Sequence, residues 1–286
     1  MQQSQDIREK YASEHIGNGV FYIPFAYYAV VRAGTLPKML SWLLIYVMPT
    51  FAYGEFAANG VTISYCINYL LLLISVFCIY ETGYIHNDTF AIRKETQPAL
   101  RLYDENMEHF FAHWKLIFGL RMLYAAIALG VFLWYNHFST EAVITVFCVL
   151  LIIPVFLIYN AWRNPYNAFF YPILVFSRYL PFLLPYRPEW HIVLLLFLSF
   201  PFCNMLERFS MPRHRFSVMR VFIPTEESKT LFRVVYYLVV MAGLLGCYLW
   251  REYDTLLLIP ISILFFYRLF VFFIVRRKTP RNYLPG

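Results

Sequence analysis

The sequence predicts an all-α membrane protein: a bundle of eight transmembrane helices, or nine if a short N-terminal apolar stretch is counted, around a cytoplasm-facing polar cavity. Composition is the first observation behind that class. Of 286 residues, 60% are hydrophobic and 14% charged, whereas a soluble domain carries about a quarter charged residues. The second is the recurrence of apolar windows about 20 residues long, enough to cross a hydrocarbon core of about 30 Å. The third is one-sided placement of Lys and Arg, which marks the cytoplasmic side of short loops.

Taken in order, residues 1–37 form a cytoplasmic and interfacial segment. Its stretch 19–31, GVFYIPFAYYAVV, is short and interrupted by Pro24, which predicts an interfacial helix rather than a span. The first 18 residues are polar and mixed in charge, with no small-residue cleavage site after a basic start, so no signal peptide is expected. The predicted spans are 39–56, 61–85, 116–135, 142–161, 169–185, 190–206, 231–250 and 256–275, within a bundle over 38–276 and ahead of a basic tail, 277–286. Nothing divides the chain, which reads as one domain. With eight spans both termini share a side; the opposite side then holds only Arg187 and Arg251, so the termini are expected in the cytoplasm.

The net charge of +7 therefore lies mainly on one membrane face, where it attracts anionic headgroups and phosphorylated solutes. The basic residues are scattered over inter-span loops rather than gathered on a soluble module, which excludes nucleic-acid binding as a reading. Cys66, Cys78, Cys148, Cys203 and Cys247 fall in or beside apolar windows without a C-x-x-C pair and read as packing residues. His109 and His113 are four apart but enclose no glutamate in an H-E-x-x-H pattern, and read as a solvated helix face. The chain carries no Walker loop, dinucleotide glycine fingerprint or G-x-S-x-G elbow.

Chemistry concentrates in 81–101, ETGYIHNDTFAIRKETQPALR, at the mouth of the second span. Carboxylates there need a metal, a cationic side chain or a polar substrate as partner. Asn87, Asp88 and Glu95 form an N-D-x6-E pattern whose hard oxygens suit Mg2+ and the phosphates it carries. Arg178 lies inside the fifth span, where an arginine costs at least ~2.5 kcal/mol unless it is paired or faces a polar cavity. Glu81, deeper than Asp88, is expected to face that cavity or to pair with a buried cation such as Arg178. Arg121 and Arg268 are expected to snorkel to the cytoplasmic surface.

This pattern resembles the UbiA superfamily of intramembrane prenyltransferases, whose first motif, N-D-x-x-D-x-x-x-D, follows the second span. Asn87, Asp88 and Glu95 match its first, second and ninth positions, and Ala91 stands where the middle aspartate belongs. The chain is most similar to the decaprenyl-phosphate phosphoribosyltransferase-like branch. Arg32 and Lys38 share the spacing of its R-P-x-x-W-x-K element, without the Pro and Trp in register. Tyr159, Arg163, Pro165 and Arg178 follow the order of its turn before the fifth span and the arginine within it. Glu207 matches the last acid of the second motif, although Cys203 and Asn204 replace the Lys-Arg pair.

The resemblance implies a Mg2+-dependent transferase of the bacterial inner membrane, moving a phosphoribosyl or similar activated sugar onto a polyprenyl phosphate for cell-envelope glycan synthesis. It implies Asp88, Glu95 and Glu207 as catalytic acids, with Asn87, Asp88 and Glu95 holding Mg2+. Arg32, Lys38, Asn87, Tyr159, Arg163, Arg178 and Arg208 would bind substrate, the arginines by bidentate grip on phosphate. Two alternatives stay open: prenyl transfer from a polyprenyl diphosphate to an aromatic or other small acceptor, and a non-catalytic transporter or assembly subunit.

Overall fold

A computed structural model describes residues 16–94, 100–161, 167–210, 221, 223, 226–251 and 255–278. Among them the secondary structure is entirely helical. Five helices are long and apolar enough to cross a membrane, at Ile63–Arg93, Asp104–Tyr135, Thr140–Ala161, Ser228–Leu249 and Leu258–Arg277. A sixth arises if the pair Trp190–Ser199 and Pro201–Phe209, bent by 46°, is one span. The remaining apolar windows are built from broken pieces, and proline explains the breaks.

The first such window is α1 (Leu36–Trp42), a π-helical turn (Leu43–Val47) and α2 (Met48–Ala58). Pro49 has no N–H to give the carbonyl of Ile45, so the regular ladder fails there. The Tyr179 hydroxyl donates to that carbonyl instead, at 2.8 Å. The Val47 carbonyl next to it accepts from Thr50 Oγ1 and the Tyr69 hydroxyl, both at 3.1 Å. A carbonyl freed from its helix in the packed interior must find another donor, and tyrosines from neighbouring segments supply it.

α3 (Ile63–Thr89) begins where Thr62 Oγ1 accepts the Tyr65 N–H and runs 27 residues to Asp88 and Thr89. α4 (Asp104–Tyr135) starts on two acids, Asp104 and Glu105, which favour a helix N-terminus. The two helices pack antiparallel along their length, clamped at one end by reciprocal amide bonds between Asn68 and Asn136, at 3.2 and 2.8 Å. α4 begins twelve residues before the predicted span, so Lys115 lies on a helix rather than in a loop.

α5 (Thr140–Leu150) is capped by Ser139, and α6 (Ile152–Ala161) continues it after Leu151. α7 (Asn167–Ser177) contains Pro172 and gives way to 3-10 turns at Leu180–Phe182 and Leu184–Tyr186, each carrying a proline. α8 (Trp190–Ser199) and α9 (Pro201–Phe209) form the bent pair. Around that bend the carbonyls of Leu198 and Ser199 accept the hydroxyls of Tyr236 and Tyr237, at 2.7 and 2.5 Å. Those tyrosines belong to α10 (Glu226–Arg251), which pairs with α11 (Leu258–Lys278) as a C-terminal hairpin.

The N-terminal stretch departs from expectation. In place of one interfacial helix, residues 18–33 form a 3-10 turn (Asn18–Phe21) and a π-helical turn (Tyr28–Ala33). Phe21 and Tyr27 are fully buried, and the stretch packs against Ile85, Phe110 and Ile117 of α3 and α4. The reason is a buried ion pair. Glu81 of α3 and Arg121 of α4 meet at 2.7 Å with neither side chain exposed. Glu81 accepts the N–H groups of Phe25 and Tyr28 at 2.8 and 2.7 Å. Arg121 donates to the carbonyls of Phe21, Val20 and Ile23 at 2.7, 3.0 and 3.3 Å. Irregular backbone is tolerated at such depth because this pair satisfies it. Arg121 therefore does not snorkel, and it is the partner of Glu81 in place of Arg178.

Candidate functional site: an arginine and tyrosine cluster

The end of α3 presents Asp88, whose side chain is fully buried. Its Oδ1 accepts from Arg32 at 2.7 Å and Arg101 at 2.9 Å, and its Oδ2 from the Tyr27 hydroxyl at 2.9 Å. Burial, then the adjacent carboxylate, hold the Tyr27 phenol well above its usual pKa, so it stays a donor. Asn87 reaches the same carboxylate at 3.5 Å. Two guanidiniums against one carboxylate leave a positive balance that repels Mg2+. Among the described residues no three His, Cys, Asp or Glu side chains gather closely enough to hold a metal ion. As arranged, Asn87 and Asp88 do not fit a protein-held Mg2+; Glu95, their expected partner, lies outside the described residues, as does Arg163.

Glu207, on α9, is not brought to Asp88. Both its oxygens accept from Arg233 of α10, at 2.6 and 2.7 Å, and Cys203 lies one turn earlier with Sγ 3.7 Å away. Lys38 is exposed in the first turn of α1. His113 stacks on His109, whose ring meets the Tyr22 hydroxyl.

The other expected residues do converge. Arg178, just past α7, is buried, and its guanidinium lies 5.0, 4.8 and 5.4 Å from the rings of Tyr46, Tyr80 and Tyr179. Its Nη1 is 3.5 Å from the Tyr84 hydroxyl. Arg32 covers the ring of that same Tyr84 at 4.4 Å. Arg208 covers Tyr171 at 4.3 Å and donates to the Tyr159 hydroxyl. Tyr171 in turn has both Arg178 and Arg208 as charged neighbours. Arg32, Tyr159, Arg178 and Arg208, from four separate parts of the sequence, are thus brought into one cluster of tyrosines.

The chain matches no family model, no curated protein and no solved structure. Function must be argued from the cluster itself. Among the described residues no carboxylate pairs with Arg178, and its buried Nε has no hydrogen-bond partner. Tyrosine faces stabilise a guanidinium by about 0.5–2 kcal/mol each, but beyond the long Nη1 contact to the Tyr84 hydroxyl they take none of its N–H donors. A buried cation so placed is completed by an anion, and a phosphate matches the guanidinium fork. Sequence reasoning gave no partner role to Tyr27, Arg101 or Arg233, and it expected Arg121 to snorkel rather than to pair with Glu81. The signal available for them was arithmetic, since each buried acid requires a cation somewhere in the chain.

An apolar groove of about 330 Å3 opens between α3 and α4, lined by Pro24, Leu71, Ile74, Tyr124, Ile127 and Val131. It borders α4, whereas Tyr80 and Tyr84 face Phe156 of α6.

Proposed function

We propose that this chain is a membrane transferase of the UbiA type that joins an activated sugar, such as the phosphoribosyl group of phosphoribosyl diphosphate, to a polyprenyl-phosphate carrier. The observation that carries the reading is Arg178, a buried arginine without a carboxylate partner among the described residues, set among tyrosines with Arg32 and Arg208 in the same cluster. In this reaction a lipid phosphate oxygen attacks the anomeric carbon. The carbon–oxygen bond to diphosphate breaks, and the leaving group departs with the electron pair. Positive charge develops on the sugar ring and negative charge on the leaving group, so preorganised cations lower the barrier. Arg178 and Arg208 bind phosphate oxygens, and Arg32 is held ready by Asp88. Mg2+ enters this scheme with the donor diphosphate, as part of the substrate.

The proposal includes eight spans with both termini cytoplasmic, counting α1–α2 and α7 with its following turns as broken spans. Prenyl transfer from a polyprenyl diphosphate is disfavoured, because Asp88 and Glu207, the acids of its two expected metal motifs, are both matched by arginines. That same pairing favours anion binding without turnover as the second reading. Incubation of purified protein with polyprenyl phosphate and phosphoribosyl diphosphate, followed by mass spectrometry of the lipid fraction, decides between them. A lipid-linked sugar formed by the wild type and sharply reduced in Arg178→Lys is expected. Binding of either phosphate compound without product would establish the second reading.

A further inference from the structure

Independently of the transferase reading, Arg268 stands out in the C-terminal hairpin. It sits at the midpoint of α11, ten residues from either end (258 to 268, 268 to 278). Snorkelling from there was the expectation, yet the residue is 6% exposed. No described residue gives its guanidinium a carboxylate or a hydrogen bond; its contact is the Tyr267 ring at 5.0 Å. The Nε is buried and unpartnered, while the Nη atoms keep some accessibility, so the fork is the open end.

The surroundings are charge-poor in the wrong sense. Cys203 of α9 has Glu207, Arg268 and Arg233 as its charged neighbours, and Tyr237 of α10 lies beside Arg268 as well. The one glutamate in this group, Glu207, has both oxygens occupied by Arg233 at 2.6 and 2.7 Å, which leaves Arg268 without an acid among the described residues. The Tyr237 hydroxyl is committed to the Ser199 carbonyl. A cation at mid-membrane depth with its five N–H donors unmet is costly, and cost of that kind is retained where a ligand relieves it.

We propose that Arg268 is the centre of an anion site between α9, α10 and α11 that takes a phosphate group. A phosphate presents two oxygens at the spacing of the guanidinium fork and cancels the excess positive charge around Cys203. The same chemistry is offered by a lipid headgroup and by free phosphate, so the test has an arm for each.

Full-length protein in a phosphate-free maltoside detergent would be titrated with inorganic phosphate in one arm and with phosphatidic acid in the other. Melting temperature and native mass spectrometry are the readouts. Binding in at least one arm is expected, weakened about 10- to 100-fold in Arg268→Met, the range set by a charge-assisted hydrogen bond. The arm that responds names the source. Without ligand, Arg268→Met should melt at or above the wild type, because no acid is orphaned. Should the Met variant fail to fold, Arg268→Lys keeps the charge without the fork and should show the same direction of loss. Equal affinity of the wild type and the Arg268 variants, no binding in either arm, or loss of binding in Arg178→Met alone would each overturn the site.

Discussion

At the scale of single residues, the decisive feature is which cation each buried acid found. Glu81 and Arg121 are both fully buried and hold five backbone groups of the N-terminal stretch besides each other. Removing one charge leaves the other uncompensated, so Glu81→Gln is expected to cost about 3–5 kcal/mol in a thermal or denaturant melt. The double change Glu81→Gln with Arg121→Met should recover part of that, limited by the carbonyls Arg121 no longer caps. Combining Glu81→Gln with Arg178→Met should show no recovery, since those two do not pair. Asp88→Asn separates the metal and ion-pair roles of this acid. As the shared acceptor of Arg32, Arg101 and Tyr27 it should lower stability by about 1–3 kcal/mol, to the same extent with and without Mg2+. A loss seen only when Mg2+ is present would restore the metal assignment.

At the scale of elements, prolines break several helical stretches and tyrosine hydroxyls answer for the carbonyls left over. Tyr179 answers for Pro49 at Ile45, and Tyr236 and Tyr237 serve the carbonyls at the bend before Pro201. Tyr237→Phe keeps the ring and removes the donor, which leaves the Ser199 carbonyl buried and unmet. A loss of about 1–3 kcal/mol in melting experiments is expected. Close packing supplies a second check. A Cβ on Gly83 would lie 2.5–2.6 Å from the ring carbons of Phe156, so α3 and α6 approach at a distance that only glycine permits. Gly83→Ala should destabilise by about 1–3 kcal/mol, and Phe156→Leu in the same chain should relieve it. Equal stability of Gly83→Ala and wild type would show that the helices slide apart at little cost.

At the scale of the whole molecule, the antiparallel α3–α4 pair is a ruler for topology. Leu100 and His137 are exposed just outside the two ends of α4, a helix 32 residues long and so about 48 Å end to end. Single cysteines at these positions, in a background without the five native ones, should label from opposite membrane faces, with Leu100→Cys on the cytoplasmic side. Labelling of both from one side would remove the spanning assignment of α4, and with it the cytoplasmic placement of the cluster. The helical class and the five long apolar helices were legible in advance, because an apolar window is a local property of the chain. The cluster was half legible: Arg178 stood out as a cation inside an apolar run, which is a one-dimensional signal, while Arg32, Tyr159 and Arg208 were singled out only through the family resemblance.

Helix class, the long apolar elements and the demand that Glu81, Asp88 and Arg178 be satisfied follow from the order of residues, since hydropathy and charge belong to each residue; the breaks near Pro49 and Pro201, within windows expected as whole spans, emerged only in the folded chain. Partner choice did not follow. Glu81 lies 40 residues from Arg121, Asp88 lies 56 from Arg32, and Glu207 lies 26 from Arg233, and the chain offers other basic residues to each acid. Packing α3 against α4 and folding residues 18–33 into their mouth gives Glu81 to Arg121 and Asp88 to Arg32 and Arg101, the approach of α9 to α10 gives Glu207 to Arg233, and Arg178 and Arg268 are left without an acid among the described residues.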